Sequence, residues 1–96
     1  MDEIKIPDEL LPKNIKSPAA FIADKHPELP DYGIDTGDLV IVDSGMEFVK
    51  GELSAFQDNI YGKYRLSKEK LRGFMHFGKV VTVMKYFGKS PFHVNK

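Results

Sequence analysis

Leu39-Val40-Ile41-Val42 is the longest uninterrupted run of Leu, Ile and Val in the chain. All but the first of these residues are β-branched, a shape that suits an extended strand and crowds a helix. A run that is apolar at every position, not at alternate ones, reads as a strand buried on both faces. Such a strand needs partners on either side and cover above and below, so it commits its surroundings to a sheet. Asp35-Thr36-Gly37-Asp38 feeds it as a turn, and Ser44-Gly45 punctuates its end.

The remaining segments fit the same reading. Pro7, Pro12 and Pro18 stand close together in residues 1–18, where only Asp8-Glu9-Leu10-Leu11 has room for a helical turn. This stretch reads as an extended N-terminal arm. Ala19 to Ala23 reads as a first strand and His26 to Gly33 as an irregular loop. Glu52–Phe56 and Ile60–Leu66 flank Asp58-Asn59 as a β-hairpin, because Asp and Asn tolerate the left-handed backbone of tight turns. Ser67 to Arg72 is either one helical turn or a polar loop. Lys79 to Phe87 reads as a long strand, with Val81, Val83 and Phe87 on one face and Val80, Met84 and Tyr86 on the other. The expectation is a mostly β fold of several short strands with little or no helix. It comprises an arm over 1–18, a domain over 19–88 and a flexible tail over 89–96.

Composition narrows the function classes. At 96 residues, 42% hydrophobic and 29% charged, the chain is one globular domain's worth of sequence. It has no cysteine, which excludes disulfide scaffolds, thiolate chemistry and cysteine-zinc sites. No apolar stretch approaches the ~20 residues that cross a bilayer, and no signal peptide opens the chain. A soluble, cytoplasmic protein without membrane association is expected.

Net charge is zero but unevenly spread. Through Tyr61 there are 13 acidic and 5 basic residues, and from Gly62 onward 1 acidic and 9 basic. One reading is that acidic and basic halves face each other, within a molecule or across a dimer. The other is a nucleic-acid surface over Lys63, Tyr64, Arg65, Lys68, Lys70 and Arg72, with Tyr61 and Tyr64 as stacking groups.

Other patterns carry less. Ser67-Lys68-Glu69-Lys70 has the serine–x–x–lysine spacing of penicillin-binding enzymes, whose two-part scaffold is too large for this chain. Its plainer reading is a capped, solvated turn. His26, His76 and His93 match no metal-ligand spacing, so no metal and no cofactor are expected. Phe48 and Phe56 read as core, and Phe74, Phe77, Tyr86 and Phe87 as core or interface.

Gly33-Ile34-Asp35-Thr36-Gly37-Asp38-Leu39-Val40-Ile41-Val42-Asp43 resembles the turn-and-strand signature of the LexA and UmuD group, the self-cleaving serine-lysine peptidase domains of SOS and phage repressors. Lys50-Gly51-Glu52-Leu53 resembles the group's second glycine-acid turn. Phe77-Gly78-Lys79-Val80-Val81 resembles its closing strand, and Asp58 to Leu66 falls where the group has its lysine-bearing hairpin strand. The resemblance covers roughly residues 19 to 87. It implies a small, trimmed LexA/UmuD-like β fold in which Gly33, Gly37 and Asp38 form a structural turn.

The chain departs from the group at the chemistry. The group's nucleophilic serine, followed by methionine, falls on Glu28 and Leu29, and no Ser-Met pair occurs in the chain. The lysine that serves as its base falls on Tyr64, between Lys63 and Arg65. The Ala-Gly or Cys-Gly cleavage site is absent, and the segment before the closing strand is shortened to Ser67–His76. Glutamate cannot attack a carbonyl as serine does, and tyrosine is a poor substitute for a desolvated amine. The resemblance therefore implies a domain without the catalytic pair. Such a domain would act by association, as a homodimer or with a related LexA-like repressor. A nucleic-acid module remains a second expectation. A peptidase drawing its serine from Ser44 or Ser54 is a third.

Overall fold

The computed structural model describes residues 1, 3–11 and 14–85. Six antiparallel strands form one curled sheet: β1 (Glu3–Ile4), β2 (Pro18–Ile22), β3 (Leu39–Asp43), β4 (Ser54–Asp58), β5 (Tyr64–Ser67) and β6 (Phe74–Met84). Their order across the sheet is β1-β2-β3-β6-β4-β5. Helical structure among the described residues is limited to 3-10 turns at Asp8–Leu10 and Leu29–Tyr32, and no helix is long and apolar enough to cross a membrane. The chain is mostly β.

Every residue of β3 is buried, and the reason is visible on both of its faces. Val40 and Val42 point into the larger core with Phe21, Leu29, Ile34, Ala55 and Leu66. Leu39 and Ile41 point the other way, beside Ala20, where Ile4, Ile6, Leu11, Ile15 and Met84 cover them. The N-terminal segment thus lies over its own sheet: Glu3 pairs with Phe21 and Ile4 with Ala20. Fully burying an aliphatic side chain contributes about 1.5–3 kcal/mol, so this cover stabilises β3 substantially.

β6 is the hinge of the curl. It pairs with β4 through Phe74–Lys79 and with β3 through Lys79–Met84, so Lys79 stands opposite both Ser54 and Asp43. A β-bulge interrupts each pairing, at Ala55/Phe56 and at Ile41/Val42, and bulges bend a strand and sharpen its twist. Gly78 permits the close approach of β3. A Cβ there would lie 2.8 Å from the Asp43 carbonyl oxygen and from the Ser44 Cα. The curl brings the N-terminal segment to β5, where the Met1 amino group donates to the Tyr64 carbonyl (3.1 Å) and the Tyr64 N–H to the Met1 carbonyl (3.3 Å).

Several expectations shift in register. The strand anticipated at Ala19–Ala23 runs over Pro18–Ile22 and is second in the chain, because Glu3–Ile4 also joins the sheet. The loop after it contains a 3-10 turn, which Pro30 accommodates in its first positions and Gly33 ends with a left-handed backbone (φ +74°). The hairpin is present, but its strands are separated by residues 59–63 instead of turning tightly at Asp58-Asn59. Asp58 Oδ1 accepts the N–H groups of Ile60 and Tyr61, and Gly62 supplies the positive φ. Residues 68–73 form a polar loop.

The last strand begins at Phe74, five residues earlier than expected. Tyr86, Phe87 and the 89–96 tail lie outside the described residues. Strict alternation puts Val80 and Val83 on opposite faces, yet both pack on the larger core, while Val81 is partly exposed. The bulge is the cause. Ile41 pairs with Thr82 and Val42 with Val80, so Val81 is the extra residue and the alternation resets there.

Candidate functional site

The glycine turn is a closed structural unit. Gly33 and Gly37 both have positive φ, and the Gly37 N–H donates to the Ala23 carbonyl (2.8 Å). Asp38 is buried, and its carboxylate accepts the Asp35 N–H at 2.8 Å. Lys85, just beyond β6, reaches across to the turn. Its Nζ donates to the Gly33 carbonyl (2.5 Å), Asp38 Oδ2 (2.7 Å) and Asp35 Oδ2 (3.2 Å). The hydrogen bond to Asp38 is the main reason that the Lys85 ammonium titrates above its ordinary range, with Asp35 adding to it and desolvation opposing it. Sequence reasoning missed Lys85 as the partner of this turn, because nothing local joins positions so distant in the chain.

A second carboxylate of the same signature, Asp43, is also occupied by backbone. It accepts N–H groups from Gly45 (2.9 Å), Lys16 (3.1 Å) and Ser17 (3.1 Å). The Gly45 bond leads in holding its pKa below the usual carboxylate value, against the opposing effect of desolvation. It ties the N-terminal segment to the end of β3.

Glu28 and Tyr64, which stand at the positions matching the serine and lysine of the resembled group, do not meet in a nucleophile–base geometry. Glu28 is ion-paired to Arg65, and its carboxylate lies 3.7 Å from His26 Nδ1. Tyr64 turns its ring into the core, 4.5 Å from Phe21 and 5.0 Å from Phe77 between centroids. Gln57 Nε2 donates to its hydroxyl (3.2 Å). Desolvation, with the Glu3 charge second, raises the Tyr64 pKa above its ordinary 10.0, so the phenol is no general base near neutrality. The partner of Glu28 is the next residue along β5, whose side chain alternation sends out of the core. The pocket between His26, Tyr64, Arg65 and Leu66 holds about 110 Å³, well under the roughly 300–1,000 Å³ of small-molecule sites.

The two serines offered as alternative nucleophiles, Ser44 and Ser54, differ in setting. Ser44 is exposed and donates to the Ser17 carbonyl (3.1 Å). Ser54 is fully buried, and its Oγ lies 3.0 Å from His76 Nε2. Phe48 and Phe56 meet the His76 ring edge-on at 5.9 and 5.4 Å. Desolvation lowers the His76 pKa from its ordinary 6.5, partly offset by the Glu47 charge. A hydrogen bond between the Ser54 hydroxyl and a neutral His76 imidazole is the arrangement these surroundings favour. It resembles a nucleophile–base pair in distance, but the hydroxyl has no path to a substrate. Ser67 caps its own loop, accepting the Glu69 N–H and donating to the Glu69 carbonyl. Among the described residues no three His, Asp or Glu side chains converge as metal ligands. His93 lies outside them.

The two charged halves of the chain meet within the molecule. Arg65 pairs with Glu28, Lys79 with Glu52 and Lys85 with Asp35 and Asp38. Lys68 lies over the Tyr32 ring, 5.6 Å from its centroid. Of the basic stretch proposed for nucleic acid, Tyr64 and Arg65 are therefore engaged internally. Lys63, Lys70 and Arg72 are exposed, Lys63 in the hairpin connection and the other two on the 68–73 loop. The three most exposed large apolar side chains among the described residues, Ile60 (80%), Tyr61 (77%) and Met75 (65%), lie in the hairpin connection and at the start of β6. Register places Met75 opposite Gln57, and the Asn59 N–H donates to the Gly73 carbonyl (3.1 Å), which draws the 68–73 loop beside the hairpin tip. Local sequence marked Tyr61 as a candidate but not Met75, whose exposure depends on where β6 begins. Compared with protein-family models, curated proteins and solved structures, the chain matches none.

Proposed function

We propose that this chain is a catalytically silent, LexA/UmuD-like β domain that acts by protein association. The observation that carries this is the state of the two positions where the resembled group has its serine and lysine. Glu28 is held by Arg65, and Tyr64 is spent on core packing. The glycine turn feeding a doubly buried β3 agrees with the turn-and-strand signature on which the resemblance rests. Exposed Ile60, Tyr61 and Met75 supply apolar surface that a partner could cover. The partner class is a second copy or a related repressor domain, with which this chain would form mixed dimers in the cytoplasm. The absence of cysteine is compatible with that reducing compartment.

Two measurements test it together. Intact mass after prolonged incubation at mildly alkaline pH should stay unchanged, and light scattering with a LexA-type repressor C-terminal domain should reveal a mixed species. A fragment pair from self-cleavage, abolished by Ser54→Ala, would assign the chain to the peptidases instead. Exposed Tyr61 with Lys70 and Arg72 favours nucleic acid as the second reading. Oligonucleotide binding that falls steeply with salt would support it.

A further inference from the structure

The N-terminal segment covers the second face of β3 on few attachments. Among the described residues it contributes two paired positions to the sheet, Glu3 with Phe21 and Ile4 with Ala20. At its tip two backbone bonds join Met1 to Tyr64. Ile4, Ile6 and Leu11 pack on Ala20, Leu39 and Ile41, yet a cavity of about 270 Å³ remains between the segment and Pro18–Ala20. The boundary of the segment is sharp. The Asp43 carboxylate accepts the Lys16 and Ser17 N–H groups (3.1 Å each), which fixes the chain from Lys16 onward to its own β3. Between Leu11 and this anchor stands Asn14, the one described residue other than glycine with a positive φ (+69°). Asn tolerates that backbone better than most residues, but only glycine takes it without cost. A short connection under strain, between a lightly held strand and a fixed one, is a setting that favours exchange of the strand between copies.

We propose that the segment from Met1 to Leu11 exchanges between two copies of this chain, each copy's segment covering the β2–β3 face of the other. The proposal rests on the association reading above and specifies how a second copy is held. The face itself names the occupant. With the segment lifted, Ala20, Leu39 and Ile41 would stand in water, and the cover whose side chains already match them is an identical segment. The pair is closed, because each copy gives one segment and receives one, leaving neither face uncovered. Every contact of the closed form is remade in the exchanged pair. Two terms then set the balance: the entropy lost on association, which concentration offsets, and the backbone at Asn14, which relaxes when the connection opens.

The experiment uses the full chain, which has no cysteine, so introduced thiols report position cleanly. Ile4→Cys chains and isotopically labelled Ala20→Cys chains are mixed, unfolded, refolded together at high concentration and oxidised. Mass spectrometry then counts disulfides between labelled and unlabelled chains. Ile4 and Ala20 are register partners, so exchange should give such links in severalfold excess over a mixture of Gln57→Cys and Met75→Cys chains, whose positions face each other within one copy. Light scattering should show a concentration-dependent dimer of the unaltered chain. Asn14→Gly should weaken that dimer by about tenfold or more, a severalfold effect at each of two connections, and Asn14→Ala should strengthen it. Circular dichroism and thermal melts check that each variant is folded. A monomer at the highest soluble concentration overturns the proposal. So does a dimer without the Ile4–Ala20 excess, or Asn14 variants that shift the dimer in the opposite sense or not at all. A dimer lacking that excess leaves the association reading intact. A monomer that also forms no mixed species with a LexA-type repressor domain removes both.

Discussion

The two ends of this sheet are built on opposite terms. Around β2, β3 and the C-terminal half of β6, the polar groups described are answered: Asp43 by three backbone N–H groups, Asp38 and Asp35 by Lys85, and Leu39 and Ile41 by a covering N-terminal segment. Around the β4–β5 hairpin and the start of β6, three large apolar side chains, Ile60, Tyr61 and Met75, face solvent. One strand, β6, belongs to both ends. The difference teaches that the glycine-and-aspartate signature, the most distinctive part of the sequence, does structural work. The most exposed large apolar side chains lie in the plainer segment.

Mutations sharpen this contrast. Ile41→Ala, in the doubly buried strand, should cost about 2–5 kcal/mol in urea denaturation; a value under half a kilocalorie, roughly the surface scale, would mean that β3 is not the core. Gly78→Ala forces a Cβ against the backbone of β3 and should cost about 1–3 kcal/mol, read as a lowered melting temperature with the β3–β6 amides most disturbed. Ser54→Ala leaves His76 Nε2 without its partner and should cost about 1–3 kcal/mol.

The same site gives a pH dependence. His76 is held neutral by desolvation, so its folded pKa is below the unfolded 6.5. Its contribution to stability is therefore fully present above 6.5 and declines as pH falls through the lowered folded value. His76→Asn should flatten that acid limb of the stability profile; an unchanged limb would place its origin elsewhere.

Lys85 gives the opposite sign. Its pKa is raised by Asp38 and Asp35, so its contribution is fully present below the ordinary 10.5 and is lost as pH rises through the folded value. Lys85→Met should remove that alkaline loss and loosen the turn, visible as faster amide exchange at Gly37 and Asp38. The smallest effect belongs to the open end. Tyr61→Ala should change stability by no more than about 0.5 kcal/mol, because the side chain is already solvated. A large loss there would mean that the hairpin tip is part of the core.

Much of the architecture was legible before any coordinates, for local reasons. The apolar run at 39–42 can be satisfied only inside a sheet, Gly33 and Gly37 only in turns with positive φ, and the segments around 54–58 and 64–67 only as a hairpin. The hairpin's turn was misplaced because Asp58 serves it through its side chain, leaving the backbone reversal to Gly62. The candidate site was less legible. Position along the chain set Tyr64 opposite Glu28, whereas strand alternation gives that place to Arg65.

By itself the sequence determined a mostly β chain, its glycine turn and its most buried strand, because each follows from backbone freedom and side-chain polarity over a few neighbouring residues. Only the tertiary structure decided which charges pair, where β6 resets its alternation, what covers the second face of β3, and which apolar residues remain in solvent. Those outcomes depend on register between strands distant in the chain, and a shift of one residue there exchanges the buried and exposed faces.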